Sequence, residues 1–183
     1  MTDYLTNVEK IATDIVAKNA IEVDQAGVFP QAAIDALRDT GMLGLISAKS
    51  VGGLGQGPRA AALVVERLAR ECASTAMVTC MHYTAAIVIE KYGAEAVRKQ
   101  LAQGGHLATL AFSEAGSRSH FWAPVSTAAR DPNGICINAK KNWVTSAHHA
   151  TLYVWSSKPV AAEGASTLWL VPSASSGISI AGR

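Results

Sequence analysis

Charge is scarce in this chain. Of its 183 residues only 16% are Asp, Glu, Lys or Arg, and the net charge is +2. So few and so scattered cations argue against a nucleic-acid footprint or an electrostatic membrane anchor, both of which need clustered Lys and Arg. No apolar run is long enough to cross a bilayer, so no membrane span is expected. The start, Met1-Thr2-Asp3-Tyr4, lacks the basic and apolar regions of a signal peptide. Cysteine is sparse as well: Cys72, Cys80 and Cys136 are an odd number without metal-ligand spacing. That favours a reduced, cytoplasmic setting.

Several chemical signatures are also missing. The glycine-rich stretch at 52–57 reads G-G-x-G-x-G, not G-x-G-x-x-G, and no Lys-Ser/Thr follows it. It is therefore expected to be a connecting loop and not a phosphate cradle. There is no G-x-S-x-G elbow for a nucleophilic serine. His148-His149 has no Asp or Glu nearby to complete a metal site, so no metal ligands are assigned. Repeats and low-complexity tracts are absent too.

What remains is apolar and patterned. Hydrophobic residues make up 49% of the chain, enough to build a packed core. Leu5, Val8, Ile11, Ala12, Ile15 and Val16 recur at three- and four-residue steps, the stripe of an amphipathic helix. A second helix is expected from Pro30 through Leu37 to a stop at Gly41. A third follows Pro58. A fourth, over 76–92 with Ser74 or Thr75 as its cap, is apolar nearly all round and predicted to lie at the centre of a bundle. His82 and Tyr83 are its polar exceptions, either hydrogen-bonded core residues or the lining of a ligand cavity. A short helix over 94–103 ends in Gly104-Gly105.

Past Gly105 the pattern changes to strands, expected at 107–112, 125–129, 135–138, 142–145, 152–156, 167–171 and 178–180. Asp131-Pro132-Asn133-Gly134 marks a turn between two of them. Helices followed by strands imply an α+β chain of two domains, 1–105 and 106–183. Residues 176–180 read as a strand still running, so Arg183 is not expected to be a natural domain end. Within 107–145 two segments carry hydroxyls (Ser113, Ser119, Thr145) and a tryptophan (Trp143), a platform suited to a flat ligand with polar edges.

These motifs resemble the acyl-CoA dehydrogenase family of flavoproteins. Residues 113–120, Ser-Glu-Ala-Gly-Ser-Arg-Ser-His, are similar to the family's [TS]-E-P-x-A-G-S-D, and residues 141–146, Lys-Asn-Trp-Val-Thr-Ser, to K-x-W-I-T-N. Phe29-Pro30, Gly41-Met42-Leu43-Gly44-Leu45 and Gly52-Gly53-Leu54-Gly55 resemble further family stretches. The resemblance implies an N-terminal all-α helical bundle, then an antiparallel β-barrel-like middle domain, with the family's C-terminal helical bundle missing. It implies FAD as cofactor, an acyl-CoA thioester as substrate, an electron-transfer flavoprotein as acceptor, and a homo-oligomer in the complete enzyme.

By the same resemblance the main chain of Leu110, Ala111, Phe112 and Ser113 runs past the flavin ring, with Ser113 as a donor. Trp143 covers the ring, Val144 and Thr145 approach its N5, and Ser119 contacts the FAD diphosphate or the thioester. Ala115, Arg118 and His120 depart from the family's Pro, Gly and Asp. Losing a glycine narrows the loop's backbone freedom, while Arg118 offers a fork for phosphate. The family's catalytic base lies in the missing bundle, so no catalytic residue is assigned and Glu114 receives no role. Two alternatives stand beside the α,β-dehydrogenase: a flavin-dependent monooxygenase of the same fold, and a non-catalytic partner subunit or remnant.

Overall fold

A computed structural model of the chain describes residues 4–117, 120, 123–132, 134–160 and 164–181. It contains two compact units, Met1–Ala108 and Thr109–Arg183. The first is helical. The amphipathic stripe forms α1 (Tyr4–Ile11), one π-helical turn (Ala12–Val16) and α2 (Ala17–Gln25). Val8, Ile11, Ala12 and Val16 are buried, and the helix runs past the end of that stripe. The wide turn disturbs the usual hydrogen-bond ladder, and the Asn19 side chain donates to the Ile15 carbonyl at 2.7 Å.

Helix α3 (Gln31–Asp39) starts directly after Pro30 and buries Ala33, Ile34 and Leu37. Gly41 ends this stretch in left-handed backbone, φ 72°, a conformation that favours glycine. A 3₁₀ turn, Met42–Gly44, follows. Helices α4 (Pro58–Ala69), α5 (Ala73–Tyr92) and α6 (Glu95–Ala102) complete the unit. Neither Ser74 nor Thr75 caps α5. Both lie inside the helix, and it is Cys72, in extended backbone, whose Sγ accepts from Thr75 N at 3.5 Å. Nor is α5 covered on all sides. Thr75, Ala76, Thr79, His82, Tyr83, Ala86 and Ile89 are buried, whereas Met77 is 53% and Ile87 45% exposed.

The two polar residues of α5 staple it to the turn before the glycine loop. His82 Nε2–H donates to the Leu43 carbonyl at 2.9 Å, and its Nδ1 accepts from Ala108 N at 3.1 Å. A carbonyl and an N–H on either side require the neutral ring. Tyr83 OH donates to the Met42 carbonyl at 2.8 Å. Both are satisfied core groups. The glycine loop is a connector, because the N–H groups from Gly53 to Gln56 are already used: Gly53 N donates to Ala48 O, Leu54 N to Gly44 O, Gly55 N to Ser47 O and Gln56 N to Leu45 O. Gly53 packs so tightly that a Cβ there would sit 2.2 Å from the Ser47 carbonyl oxygen.

Among the described residues the second unit holds two small sheets. In the first, β1 (Ala108–Ala111), β4 (Leu152–Ser157) and β5 (Thr167–Pro172) lie in that order, β4 and β5 antiparallel with Trp155 opposite Trp169. In the second, β2 (Thr127–Asp131) and β3 (Gly134–Asn138) form an antiparallel hairpin. No closed barrel forms among the described residues. The central strand β4 buries both faces, while the edge strand β5 alternates half-buried and exposed positions. Residues 142–145 are a loop and not a strand, since Trp143 and Ser146 adopt φ of 56° and 59°, outside the extended region. Residues 178–180 join no ladder; Ile178 instead packs against a core of Ala111, Ala150 and Tyr153.

Burial pushes the His82 imidazolium down to about 4, against the bond to Leu43 that favours it. The unfolded chain therefore binds this proton more readily than the folded one, and stability rises with pH between the folded value and the ordinary histidine value. Chemical denaturation is expected to find the helical unit less stable at pH 4 than at pH 7 by about 3 kcal/mol from this group. A His82→Gln variant is expected to show a flatter pH profile, and an equally steep one would contradict this assignment.

Candidate functional site

Where the sequence places its two signature segments, the second unit joins them. Ser113 leaves the end of β1, and its carbonyl accepts from Asn142 N at 2.8 Å. The Asn142 side-chain amide faces Ala115 N and the Lys141 carbonyl at 3.2 Å each, and satisfies both with its oxygen toward Ala115. Beside this stitch lies an ion pair. Lys141 Nζ is 2.7 Å from Glu114 Oε1, and the two side chains are 2% and 1% exposed.

Every oxygen and proton of that pair is engaged locally. Glu114 Oε2 accepts from Val125 N at 2.5 Å and Ser126 N at 3.2 Å. Lys141 Nζ donates to the Ser156 carbonyl at 2.7 Å and reaches Ser156 Oγ at 3.0 Å. The ammonium also lies 5.9 Å from the Trp155 ring centroid. Burial alone would raise the Glu114 carboxyl, but the hydrogen bonds from Lys141, Ser126 and Val125 outweigh it and hold the group below the ordinary carboxylate range. Burial pulls Lys141 down, and the bond to Glu114 opposes that without cancelling it.

The second signature presents its tryptophan outward. Trp143 is 94% exposed, so it is no core aromatic. It stands in left-handed backbone, which costs a bulky residue about 1 kcal/mol. The turn behind it is braced: Ala147 N donates to Val144 O, Ala150 N to Ser146 O at 2.7 Å, and Tyr153 OH to the Ala147 carbonyl at 2.6 Å. Val144 packs on the core formed by Ala111, Ala150 and Tyr153. Thr145 opens the turn, half-buried. Ser146 Oγ is buried with no hydrogen-bond partner among the described residues, as are Thr109 Oγ1 and Trp155 Nε1 in the same unit.

Of the predicted site residues, Leu110 and Ala111 lie in β1, Ala111 fully buried and Leu110 half-buried. Phe112 and Ser113 follow, half-buried. The Ser113–Asn142 bond brings these near Trp143, Val144 and Thr145 in one unit. Ser119 and Arg118 lie outside the described residues. No group of His, Cys, Asp and Glu able to hold a metal occurs among the described residues. Glu114 and Lys141 are what sequence reasoning passed over. The available signal was their position, one directly after Ser113 and one directly before Asn142-Trp143, in a half of the chain where acidic residues are rare.

Comparison with known proteins bears on what such a site holds. The family model described as "Acyl-CoA dehydrogenase, N-terminal domain" matches residues 2–104, and that described as "Acyl-CoA dehydrogenase, middle domain" matches 109–183. The 3-sulfinopropanoyl-CoA desulfinase of Variovorax paradoxus is 30% identical over 147 residues, covering 78% of this chain and 37% of the relative. The butyryl-CoA dehydrogenase structure from Megasphaera elsdenii superposes with a TM-score of 0.80 at 22% identity, covering 97% of this chain and 50% of that one. The methanesulfinate monooxygenase structure from Pseudomonas fluorescens gives 0.81 at 23%, covering 97% and 45%. At those identities the likeness to solved structures speaks for the fold alone. The chain spans half or less of the length of each of these proteins.

Replacing Lys141 strands a buried carboxylate, which costs about 3 kcal/mol or more. Lys141→Met is expected to lower the second unit's stability by that order in urea denaturation at neutral pH. Because the folded Glu114 carboxyl titrates below its unfolded value, its stabilising share is full above the carboxylate range and lost as pH falls through the depressed folded value. The deficit of the variant should therefore shrink in acid. A deficit under about 1 kcal/mol at neutral pH would mark the pair as no better than a surface contact.

Proposed function

Because the chain belongs to the acyl-CoA dehydrogenase family, whose members are generally flavin oxidoreductases, we propose that it carries the flavin-facing part of an FAD-dependent dehydrogenase acting on an acyl-CoA thioester. The observation that carries this reading is Trp143, an aromatic face 94% exposed beside the bond that joins the two signature segments. Soluble units rarely hold a tryptophan open to water in strained backbone without a use for it. The buried, unpartnered Ser146 Oγ beside Thr145 also fits a polar-edged ring, since a buried hydroxyl lacking a partner is costly until one arrives.

Leu110, Ala111, Phe112 and Ser113 would supply main-chain contacts and a hydroxyl along one edge of the flavin. Trp143 would cover the ring, and Val144 and Thr145 would fill the space near its reactive nitrogen. Ser119 would meet the diphosphate or the thioester. A bound flavin supplies the two-electron acceptor that α,β-desaturation of a thioester needs. The protein's own share is to hold the ring, exclude water from one face and direct hydrogen-bond donors to its edge. A CoA thioester is supported further by the desulfinase relative, whose named substrate is one.

The proposal gives His82 and Tyr83 no substrate contact, since both are buried with their polar atoms bonded to Leu43, Met42 and Ala108. An electron-transfer flavoprotein as acceptor, a homo-oligomeric complete enzyme, a cytoplasmic setting and a domain division at Gly105 belong to the same proposal.

Anaerobic mixing of the flavin-loaded protein with a panel of acyl-CoAs tests the reading. Loss of the oxidised-flavin absorbance supports dehydrogenation. Absorbance that falls only when a separate reduced flavin is supplied supports the monooxygenase alternative, which the altered residues Arg118 and His120 motivate. Trp143→Ala is expected to weaken flavin binding about tenfold, the worth of one aromatic contact. Its far-ultraviolet spectrum should stay unchanged, since the side chain packs against little.

A further inference from the structure

The two segments proposed to face the flavin are far apart in sequence, and the second lies wholly in a loop. Regular structure therefore does not set their register. Among the described residues of the second unit two links do. One is Asn142, whose N donates to the Ser113 carbonyl and whose side-chain oxygen accepts from Ala115 N. The other is the adjacent ion pair, in which Glu114 follows the first segment directly and Lys141 comes one residue before Asn142-Trp143. Through its partners the pair fastens four stretches together: the exit of β1, the start of the stretch leading into β2 at Val125 and Ser126, the tryptophan loop, and β4 at Ser156.

We infer that Glu114 and Lys141 are positioning residues for the flavin site, holding Ser113 and Trp143 at one fixed separation; this rests on the flavin reading above. Stability alone is a weak reason to keep such a pair. Removing two charges from water costs several kcal/mol, and an apolar replacement of similar volume is often no less stable. What apolar side chains lack is direction. A carboxylate with donors at both oxygens and an ammonium aimed at a carbonyl permit one arrangement of the segments they join. A flavin contacted from two loops needs that, because a misplacement of about 1 Å at a reacting centre can cost about a hundredfold in rate.

The test compares the purified protein with its Glu114→Gln, Lys141→Met, Lys141→Arg and Glu114→Gln/Lys141→Met variants. For each, the unfolding midpoint and the dissociation constants for FAD and for FMN are measured well below the midpoint, together with the visible absorption spectrum of the bound flavin. The two charge-breaking single variants are expected to bind flavin about tenfold or more weakly, with a shifted absorption band. The double variant strands no charge and is expected to recover most of the stability but not the affinity.

A double variant that recovers both stability and wild-type affinity overturns the positioning role and leaves only a structural one. If the charge-breaking variants do not fold, Lys141→Arg decides. It keeps the cation but changes its geometry, so weaker flavin binding at an unchanged midpoint supports the role, and unchanged affinity overturns it. Wild-type protein that binds neither FAD nor FMN overturns the flavin reading itself, and this inference with it.

Discussion

The second unit depends on the buried contact between Glu114 and Lys141. Its sheets are small, one of three strands and one a two-stranded hairpin, and the hairpin is largely open to solvent. Such pieces do not fix long loops by themselves. The ion pair supplies the missing constraint, because the cost of burying both charges is offset only when Val125, Ser126 and Ser156 stand at their hydrogen-bond positions. The strained turn at Trp143 is then held from both ends, by the pair on one side and by the Tyr153 hydroxyl on the other. A function that needs a presented tryptophan thus rests on an electrostatic contact removed from it by a single residue, Asn142.

The helical unit solves a comparable problem mainly with neutral groups, although Glu90, paired with Arg98, also accepts from Ala48 N in the connector. Its polar core residues, His82 and Tyr83, bond to carbonyls of the 3₁₀ turn that precedes the glycine loop. Those carbonyls lie where the chain leaves helical geometry, and Met42 O also accepts from Leu45 N. Two glycines here serve close approach, Gly53 of the loop against Ser47 and Gly44 of the 3₁₀ turn against Ala102. This division of labour sorts the polar residues of the chain. His82 and Tyr83 hold the backbone of a connector, whereas Glu114 and Lys141 join the stretches that flank the exposed Trp143.

Much of this was legible in the sequence, for identifiable reasons. The helices follow from a 3.6-residue apolar period, and β1, β3, β4 and β5 from short β-rich runs. Residues 142–145 misled because Trp, Val and Thr favour strands wherever they occur, and nothing local announces the positive φ at Trp143. The cap of α5 was misassigned because cysteine rarely serves as one, although Cys72 does so here. The Glu114–Lys141 pair was invisible for another reason. Its members are 27 residues apart, and a lone charge in a sequence reads as surface until its partner is known. The signature motifs located the site, but the force that assembles it required the structure.

The most direct test of the account is a double-mutant cycle on flavin affinity between Lys141→Met and Trp143→Ala. If the ion pair acts by placing Trp143, the tryptophan contributes little once the lysine is gone, and the two losses fall well short of adding. Additive losses would mean that Trp143 meets the flavin equally well without the pair, which would contradict the claim that Glu114 and Lys141 assemble the site.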